Sequence, residues 1–402
     1  MNNKKLLLLG GSAQQIIAIE KAKTLGYYTI LCDYLQDNPG QYVADKYYNV
    51  STTDIDAVYE IAIKEKVNGV LAYASDPAAL PAAIVCNRLG LPSNPTESVR
   101  ILGLKHPWRE FLRKNGFACP QSVSFSPDVS LEEFKELVKD FTWPLVIKPT
   151  DSSGSKGVSI LKDFSIFNIA IQSANIYSRN KILIAEEFIV HSFPHVIGGD
   201  IFVWNKKIVF YGEMSCLRDE TVNGLIPVGE KKPSGLNERQ RKNIYRELQR
   251  LVSDLNINFG EFNIEILLDN NDGVHFLELG PRAGGNMIPV QLSDAWGIDL
   301  VEANIKACMG EVPNLVLNEQ KGCFFTYVLH SYEEGLFDGI IISDEIMPYI
   351  YRKVIYKKIG DKIEYFDGAG KAIGILFVHV DTEEQMNDFC QRLDTLIKIK
   401  LA

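Results

Sequence analysis

The chain has 402 residues, 46% of them hydrophobic and 23% charged, which is ordinary for a globular protein with a large core and two or three domains. Its net charge of -9 argues against a nucleic-acid partner held by electrostatic attraction, and neither a signal peptide nor an apolar run of roughly 18 residues is recognisable. The seven cysteines are scattered without any Cys-x-x-Cys pair, which argues against zinc and favours a reducing cytoplasm.

Strand and helix patterns alternate at the start of the chain. Strands are predicted at 5–9, 28–32 and 69–73, and helices at 13–25, 55–66 and 77–89. Such alternation predicts a parallel sheet with helices on both faces. Ligands of these sheets lie at the carboxyl ends of the strands, here near Gly10-Gly11-Ser12, Asp33 and Ser75-Asp76.

A dinucleotide fold is an alternative for this region. The segment Gly10-Gly11-Ser12-Ala13-Gln14-Gln15 lacks the Gly-x-Gly-x-x-Gly pattern, although Asp33 follows it at the expected distance of about 20 residues. The acidic residue fits NAD, and the glycines do not. The loop is still suited to hold an anionic group of a substrate at the N-terminus of the helix that follows.

A helix that begins with a lysine and a loop of small residues follow a linker at 91–95. The helix is predicted from Lys105 to near Gly116, followed by a strand at 122–125 and a helix at 131–139. A strand at 144–149 contains Lys148. Before the next strand, at 158–161, lie Ser152, Ser153, Gly154, Ser155, Lys156 and Gly157. This loop presents N–H groups and hydroxyls to a phosphate, although it is not a Walker A loop and a flexible hairpin is the alternative.

The next strand, predicted at 181–187, runs into Glu186-Glu187-Phe188-Ile189. Further strands are predicted at 201–203, 208–214 and 259–268, and helices at 237–255, 286–297 and 300–310. The remaining C-terminal residues are predicted to form a β-rich cap with a final helix.

Two glutamates are predicted to face each other across a hairpin. Asn270-Asn271-Asp272-Gly273 separates two apolar runs, which is a strong hairpin signal, and a loop of these residues places Glu265 opposite Glu278. Like charges about 5 Å apart are destabilising, so the two carboxylates share either a proton or a cation. With Arg282 just beyond, the pair favours a magnesium–phosphate site, the alternative being two unrelated acids on a wet face.

The order of these motifs resembles the ATP-grasp superfamily. The motifs are the lysine helix, the strand with Lys148, the small-residue loop, Glu-Glu-Phe-Ile, the paired glutamates and Pro-Arg-x-Gly-Gly-Asn. The resemblance covers essentially the whole chain. It implies an α/β (α+β) fold with an N-terminal doubly wound parallel-sheet domain (1–95), an interlobe helix and linker (96–120), a two-lobed ATP-grasp region (121–187 and 188–315) and a small C-terminal β-rich domain (316–402).

The resemblance implies a site for ATP. Lys105 corresponds to the residue that reaches the nucleotide phosphates from the interlobe helix, and Lys148 to the strand lysine near the α-phosphate and the adenine side. Residues 152–157 correspond to the mobile loop that closes over the β- and γ-phosphates. Residues 186–189 correspond to the hinge, where backbone groups read the adenine edge.

A metal site and a catalytic arginine are implied next to the phosphates. Glu265 and Glu278 correspond to the carboxylates that hold Mg²⁺, or Mn²⁺ in its place. Arg282 corresponds to the arginine that holds the γ-phosphate and an acyl phosphate.

Two positions depart from the family pattern. Relatives usually carry an asparagine that helps to hold a second metal, where this chain has Gly280. Asn286 or water would have to take its place, or the second metal binds more weakly. Many relatives also have Glu-Gly-x-Glu after the hinge, whose last acid holds the ribose. This pattern is missing here, and His195 and Asp200 are the remaining candidates for that role.

The implied activity is that of an ATP-dependent carboxylate–amine ligase, which forms a C–N bond. A small carboxylate becomes an acyl phosphate, an amine displaces the phosphate, and ADP is released, with Lys105, Lys148 and Arg282 as the catalytic cations. Amino acids or peptide-like molecules are the favoured substrates, by analogy with L-amino-acid ligases. The predicted substrate residues are Glu213, Arg218, Gly229, Asn286 and Arg282.

Other functions remain open at the level of the sequence. Gly280 and the unusual stretch after the hinge favour a regulatory nucleotide-binding protein without catalysis. A carboxylase that acts on bicarbonate and an NAD-dependent oxidoreductase are further alternatives. Neither nucleic acid nor a membrane is expected as a partner, and a homodimer is left open.

Overall fold

The N-terminal region is built on a parallel sheet. The computed structural model of the chain describes residues 4–191, 193, 196–219 and 222–402. The sheet has the order β3-β2-β1-β4, with β1 (Lys5–Leu9), β2 (Tyr28–Asp33), β3 (Lys46–Asn49) and β4 (Gly69–Leu71). The connections contain α1 (Ile16–Thr24), α2 (Ile55–Glu65) and α3 (Asp76–Leu89).

Helices cover both faces of this sheet. Alternate side chains of β1 point to opposite sides, so that Leu6 and Leu8 pack with α1 while Leu7 and Leu9 pack with α2 and α3. The predicted doubly wound parallel sheet is therefore confirmed. Strand β3 was not predicted, because its sequence Lys-Tyr-Tyr-Asn lacks an apolar pattern and lies at the edge of the sheet.

Two helices and a small antiparallel sheet form the next unit, the first lobe. The helices are α4 (Thr96–Gly103) and α5 (Lys105–Lys114). The sheet has the order β5-β8-β6-β7, with β5 (Ser122–Phe125), β6 (Leu145–Pro149), β7 (Ser159–Leu161) and β8 (Leu183–Glu187). Both α6 (Leu131–Leu137) and α7 (Phe167–Tyr177) pack on one face of it, which leaves the other face to line a cleft.

The second lobe belongs to a sheet of eight strands, in the order β13-β12-β9-β10-β11-β14-β18-β16. Its first five strands are β9 (Ile197–Trp204), β10 (Lys207–Asp219), β11 (Asn223–Lys232), β12 (Phe259–Leu268) and β13 (Val274–Gly280). One face is covered by α8 (Glu238–Asp254), and the other by α9 (Ile288–Trp296) and α10 (Leu300–Cys308).

The same sheet continues into the C-terminal region. Its strands there are β14 (Cys323–Leu329), β18 (Gly374–Val380) and β16 (Ile350–Ile355). A separate sheet has the order β17-β15-β19, with β15 (Gly335–Ile342), β17 (Lys362–Ile363) and β19 (Ile397–Leu401). The helices of this region include α11 (Glu383–Gln391) and α12 (Leu393–Leu396). Strand β14 pairs with β11, so one sheet crosses the boundary expected at 315/316, which stays a prediction. Within the described ranges, no helix is both long and apolar enough to cross a bilayer.

The β12–β13 hairpin pairs the two glutamates, but its loop length and register differ from those predicted. Glu265 and Glu278 are paired residues, as expected, but Leu268 pairs with Val274, so the loop has five residues instead of four. A bulge at Leu277 restores the register before Glu278 is reached. The extra residue also turns the Leu277 side chain toward the cleft, which it lines.

Candidate active site

A cleft of about 450 Å³ lies between the small antiparallel sheet and the eight-stranded sheet. Its apolar walls are Val146, Val158 and Ile160 on one side and Val196, Leu267 and Leu277 on the other. These six residues were not predicted, because each reads as an ordinary apolar strand residue. The predicted residues that line the cleft are Lys105, Lys148, Ser152, Ser153, Gly154, Ser155, Lys156, Glu186, Glu187, Phe188, Ile189, Arg218, Glu265 and Glu278.

Lys148 is held in the cleft by a buried ionic cluster. Its Nζ lies 2.6 Å from Glu186 Oε2, and Arg109 Nε on α5 lies 2.8 Å from Glu186 Oε1. Arg109 also donates a hydrogen bond of 2.9 Å to the carbonyl of Phe276 on β13, so that one side chain ties α5 to both lobes. Arg109 and Glu186 are almost completely buried. Arg109 was not predicted, because nothing in its sequence context distinguishes it from the other basic residues of a polar helix.

The charges of this cluster depend on one another. Burial alone would raise the pKa of Glu186, but Arg109 and Lys148 outweigh it and hold that pKa at about 2. Burial lowers the pKa of Lys148, Glu186 opposes that shift, and Arg109 and Lys105 add to it. Glu186 therefore favours the charged form of Lys148, which is the form that attracts a phosphate.

The loop of small residues, 152–157, is fixed at both of its sides. Lys105 Nζ donates a hydrogen bond to the carbonyl of Ser152, and the Lys105 backbone N–H donates to the carbonyl of Thr150 at 2.9 Å. The Ser155 hydroxyl donates to the carbonyl of Leu225 in the β10–β11 hairpin at 2.7 Å. The loop thus lies between α5 and the second lobe. Gly157, at its end, does not line the cleft.

The hinge residues 186–189 form one end of the cleft. Two of their backbone N–H groups are already used within the protein, since Glu187 donates to Gln121 and Phe188 donates to Pro144, each at 3.0 Å. The Glu187 carboxylate accepts the N–H of Thr142 at 2.7 Å. A base at this end would have to use the other backbone groups of the segment.

Glu265 and Glu278 lie on the wall of the cleft opposite the loop 152–157. Burial raises the pKa of Glu278, Asp76 and Glu265 raise it further, and Lys105 opposes them. A buried carboxylate whose neighbours are carboxylates is an unfavourable arrangement unless a proton or a cation is present. This arrangement fits a divalent cation and its bound phosphates.

Arg282 does not line the cleft directly in this structure. Its guanidinium makes a bidentate pair with Asp76 of α3, with Nε 2.7 Å from Oδ1 and Nη2 2.8 Å from Oδ2. Asp76 had been predicted only as a strand-end residue of the N-terminal sheet. A Cβ at Gly280 would lie 3.3 Å from Arg282 Cζ, so the departure at Gly280 gives the guanidinium its space.

The predicted substrate residues do not converge. Arg218 lines the cleft and donates hydrogen bonds to the carbonyls of Gly224 at 3.2 Å and Leu225 at 2.5 Å. Glu213 lies on the opposite face of β10, where it pairs with Arg241 of α8. Gly229 lies against β14, where a Cβ would approach the carbonyl oxygen of Thr326 to 2.1 Å.

Asn286 lies at the contact with the N-terminal sheet. Its backbone N–H donates to Gln14 Oε1 at 2.7 Å, and no partner is found for its own buried Oδ1 within the described part of the chain. The structure therefore places Asn286 beside the Gly10–Gln15 turn, and its roles as a metal ligand and as a substrate residue stay predictions.

His195 and Asp200 were the two residues considered for binding the ribose. His195 lies outside the described residues. Asp200 is fully buried and accepts hydrogen bonds from the N–H of Gly284 at 3.0 Å and from Asn263 Nδ2 at 2.9 Å. Burial raises the pKa of Asp200 to about 6, although the hydrogen bonds from Gly284 and Asn263 oppose this shift. Asp200 thus supports the loop that carries Arg282 and does not line the cleft.

The turn after β1 is closed by side chains of the protein. The N–H of Gly11 donates to Asp33 Oδ2 at 2.8 Å, and the N–H of Ser12 donates to Gln15 Oε1 at 2.8 Å. Asp33, the acidic residue that had left NAD open, therefore braces the turn, and two of the N–H groups offered to an anion are already engaged.

This fold and cleft place the chain among the ATP-grasp proteins. Residues 105–315, just over half of the chain, match the family described as carbamoyl-phosphate synthase L chain, ATP binding domain, and the chain belongs to this family.

Known proteins resemble the chain in sequence and in fold. It is 25% identical over 295 residues to alanine–anticapsin ligase of Bacillus amyloliquefaciens. The aligned stretch covers 66% of this chain and 62% of that protein. It is 25% identical over 313 residues to formate-dependent phosphoribosylglycinamide formyltransferase of Bacillus velezensis, covering 69% of this chain and 71% of that one. The crystal structure of L-amino acid ligase from Bacillus licheniformis superimposes with a TM-score of 0.82 at 18% identity, over 100% of both chains.

These similarities confirm the predicted superfamily, the fold class and the class of enzyme, an ATP-dependent ligase. The curated relatives named above are a ligase and a formyltransferase, so they do not favour the carboxylase alternative. The roles of individual residues, the domain boundaries and a homodimer stay predictions.

Proposed function

We propose that this protein activates a small carboxylate as an acyl phosphate and joins it to an amine, with release of ADP and phosphate. The observation that carries the proposal is the convergence of Lys105, Lys148 and the loop 152–157 on a cleft whose other wall holds Glu265 and Glu278. Cations on one wall and carboxylates on the other suit a nucleotide whose phosphates are bridged by a metal.

ATP would lie with its base between the apolar walls and its phosphates toward the loop. Val146 and Ile160 are paired residues of neighbouring strands, and they face Leu267 and Leu277 across the cleft. A flat aromatic base is stabilised between such surfaces. Lys148 would hold the phosphate nearest the base, because Glu186 keeps it charged and fixed at 2.6 Å. Lys105 would hold the outer phosphates together with the loop.

Mg²⁺, or Mn²⁺ in its place, fits Glu265 and Glu278. Within the described part of the chain, no group of three or more His, Cys, Asp or Glu side chains is arranged to hold a metal ion. Two carboxylates with phosphate oxygens and water make the kind of incomplete protein site that Mg²⁺ uses with nucleotides. The ion would neutralise charge on the phosphates. With Gly280 in place of a ligand, Asn286 or water would complete a second site.

The reaction would depend on positioning and on charge. ATP would supply the phosphoryl group that makes the carboxyl carbon reactive. The amine nitrogen would then form the C–N bond as the bond from carbon to the phosphate oxygen breaks and phosphate leaves. Lys105, Lys148 and Arg282 would stabilise the charge that develops on the transferred group. The contact of Ser155 with Leu225 would keep the loop closed and exclude water from the acyl phosphate.

Amino acids are the substrates that the relatives favour. One relative is named for alanine and another is an L-amino acid ligase, and the latter has the same fold over its full length. Arg218, which lines the cleft, is the predicted substrate residue best placed to hold a carboxylate. Glu213 and Gly229 would contribute to substrate binding only through the elements that they support.

Release of ADP tests the proposal. The protein would be incubated with Mg-ATP and a mixture of the twenty common L-amino acids, with ADP followed by a coupled assay. Hydroxylamine would be added in parallel, because it traps an acyl phosphate as a hydroxamate. We expect ADP release that depends on amino acids, and hydroxamate formation that depends on ATP. If neither rises above the reaction without amino acids, the proposed substrate class is wrong.

A further inference from the structure

Asp76 and Arg282 are joined although 206 positions separate them in the chain. Asp76 is the first residue of α3, at the carboxyl edge of the parallel sheet, and Arg282 follows β13 of the large sheet. Only 10% of the Arg282 side chain and 25% of the Asp76 side chain are exposed. A bidentate pair with so little water around it fixes the plane of the guanidinium as well as its position.

The pairing uses one side of the guanidinium and leaves another side available. An arginine has five N–H donors in one plane. Asp76 accepts from Nε and Nη2, and the carbonyl of Ala283 accepts from Nη1 at 3.1 Å. These three contacts leave one donor on Nη1 and one on Nη2. Two guanidinium donors can bind two oxygens of a phosphate.

Asp76 also contacts the loop 152–157. Burial opposes its ionisation, but Arg282, a hydrogen bond from the Ser153 hydroxyl and the charge of Lys105 lower the pKa of Asp76. A small recess is lined by Asp76, Lys105, Ser153 and Glu278. One carboxylate from the N-terminal sheet therefore lies where the loop, the lysine helix and the paired glutamates meet.

Gly280 supplies the space for this arrangement. A Cβ at this position would lie 3.3 Å from Cζ, 3.4 Å from Nη1 and 3.5 Å from Nη2 of Arg282. An alanine at this position would be in tight contact with Cζ, so the guanidinium would have to shift by a few tenths of an ångström. The position that departs from the family pattern is therefore coupled sterically to the Asp76 contact.

We propose that Asp76 is a positioning residue. It holds Arg282 through Nε and Nη2, so that the remaining donors on Nη1 and Nη2 face the terminal phosphate of the nucleotide. The proposal rests on the proposed function, in which Arg282 stabilises the transferred phosphoryl group. It assigns to the N-terminal region an indirect part in the chemistry, through a residue of α3 that does not itself touch the substrate.

Nucleotide binding tests this proposal without any need for the unidentified substrate. Isothermal titration calorimetry with Mg-ADP and with Mg-AMPPNP isolates the terminal phosphate, because only AMPPNP carries it. We expect the wild-type protein to bind AMPPNP more tightly. Asp76→Asn should lower the affinity for AMPPNP by about 10-fold or more and leave the affinity for ADP unchanged, as is usual for a residue that orients a ligating group.

Two further variants give the test its specificity. Gly280→Ala should produce a smaller loss of the same selectivity, because it shifts the same guanidinium without removing its partner. Adding Asp76→Asn to Arg282→Gln should cause no further loss, because both changes remove one interaction. Asp45→Asn is the matched control: Asp45 belongs to the same region, is 27% exposed and pairs with Lys23 at 3.0 Å. It should alter neither affinity.

Three results would overturn the proposal. They are a wild-type protein without preference for AMPPNP, an Asp76→Asn variant that keeps the preference, and a variant that loses affinity for both nucleotides equally. The last would indicate a role in folding or in the base pocket. Failure of the ligase proposal is distinguishable, because it is read from ADP release and hydroxamate formation by the wild-type protein.

Discussion

The two ends of the candidate site are assembled differently. We call Lys105, Lys148 and the loop 152–157 the nucleotide end, and Glu213, Gly229 and Asn286 the acceptor end. The residues of the nucleotide end come from a helix, a strand and a loop of one lobe and converge at one cleft. At the acceptor end, Glu213 faces α8, Gly229 lies against β14 and Asn286 contacts Gln14.

The difference shows what each kind of recognition demands of the chain. A phosphate site requires positive charge and small residues, and short sequence motifs can supply both. The wall of a substrate pocket depends on which face of a long strand each residue occupies, and a shift of one residue reverses the face. Strand β10 has irregular pairing on both sides of Arg218, so its faces cannot be counted from its sequence.

The largest effect is expected from Glu278→Gln. Loss of one carboxylate of the pair should lower the rate of ADP release at least about 100-fold, because the charge that holds the cation is reduced. The free energy of unfolding should not fall, since the buried carboxylates repel each other. Asp272→Asn, at the loop of the same hairpin, is the control. Near-normal turnover of Glu278→Gln would show that Glu278 does not hold a metal ion that turnover needs.

Arg109→Met tests whether the nucleotide end depends on its buried cluster. Removing Arg109 leaves Glu186 with Lys148 alone, and breaking a buried ion pair costs about 3–5 kcal/mol of unfolding free energy. Chemical denaturation measures this loss. Arg113→Met, on the same helix but at the surface, should cost under about 1 kcal/mol. Equal stability of the two variants would show that the cluster does not hold the lobes together.

Glu230 follows Gly229 of the acceptor end on β11, and Glu230→Gln tests how its ionisation changes stability with pH. Burial raises the pKa of Glu230 to about 8, and its Oε1 accepts a hydrogen bond from Cys216 Sγ at 3.0 Å. The folded protein thus keeps a proton that the unfolded chain releases near pH 4.5. Stability should therefore fall as pH rises from about 5 to 8, by up to about 1.4 kcal/mol per pH unit.

The Glu230→Gln variant lacks this ionisation. In thermal unfolding, its stability relative to that of the wild-type protein should therefore increase as pH rises through that window. Glu65→Gln is the matched control with the opposite sign. Lys46 and Tyr48 lower the pKa of Glu65 to about 2, so its stabilising effect is present at neutral pH and is lost in acid. Parallel pH curves for Glu230→Gln and the wild-type protein would show that Glu230 is ionised in the folded state.

The smallest effect is expected from Glu213→Gln at the acceptor end. Loss of its contact with Arg241 should lower the free energy of unfolding by about 1 kcal/mol and leave the affinity for ATP within about twofold. Amino-acid-dependent turnover decides the comparison. If turnover collapses while stability and ATP affinity hold, Glu213 reaches the substrate, and the acceptor end is more complete than this structure indicates.

Residues that lie in short motifs were predictable, whereas contacts across the fold were not. Glu265 and Glu278 could be paired from the hairpin alone, because alternation along two strands leaves few registers. The five-residue loop and the bulge at Leu277 were missed, since two errors of one residue cancel. Arg109 was missed because nothing in a basic helix marks which arginine is buried.

Asp76 illustrates the limit most clearly. It was recognised as a strand-end residue of the parallel sheet, and Arg282 as a catalytic cation, but nothing local connects them. Their contact depends on how the N-terminal sheet packs against the loop after β13, which buried apolar residues such as Ala283 and Val301 determine. Packing of this kind is cooperative and has no short sequence signature.

Strand β11 is shared between the ATP-binding segment and the C-terminal region. Its Lys231 and Lys232 pair with Phe325 and Phe324, while the segment that matches the family ends at residue 315. A fragment that stopped there would turn β11 into an open edge and uncover apolar side chains such as Val228. Open edges of this kind recruit other strands, so such a fragment would tend to aggregate. The segment that matches the family is thus not independent of the C-terminal region, and fusions or truncations should keep β14 beside it.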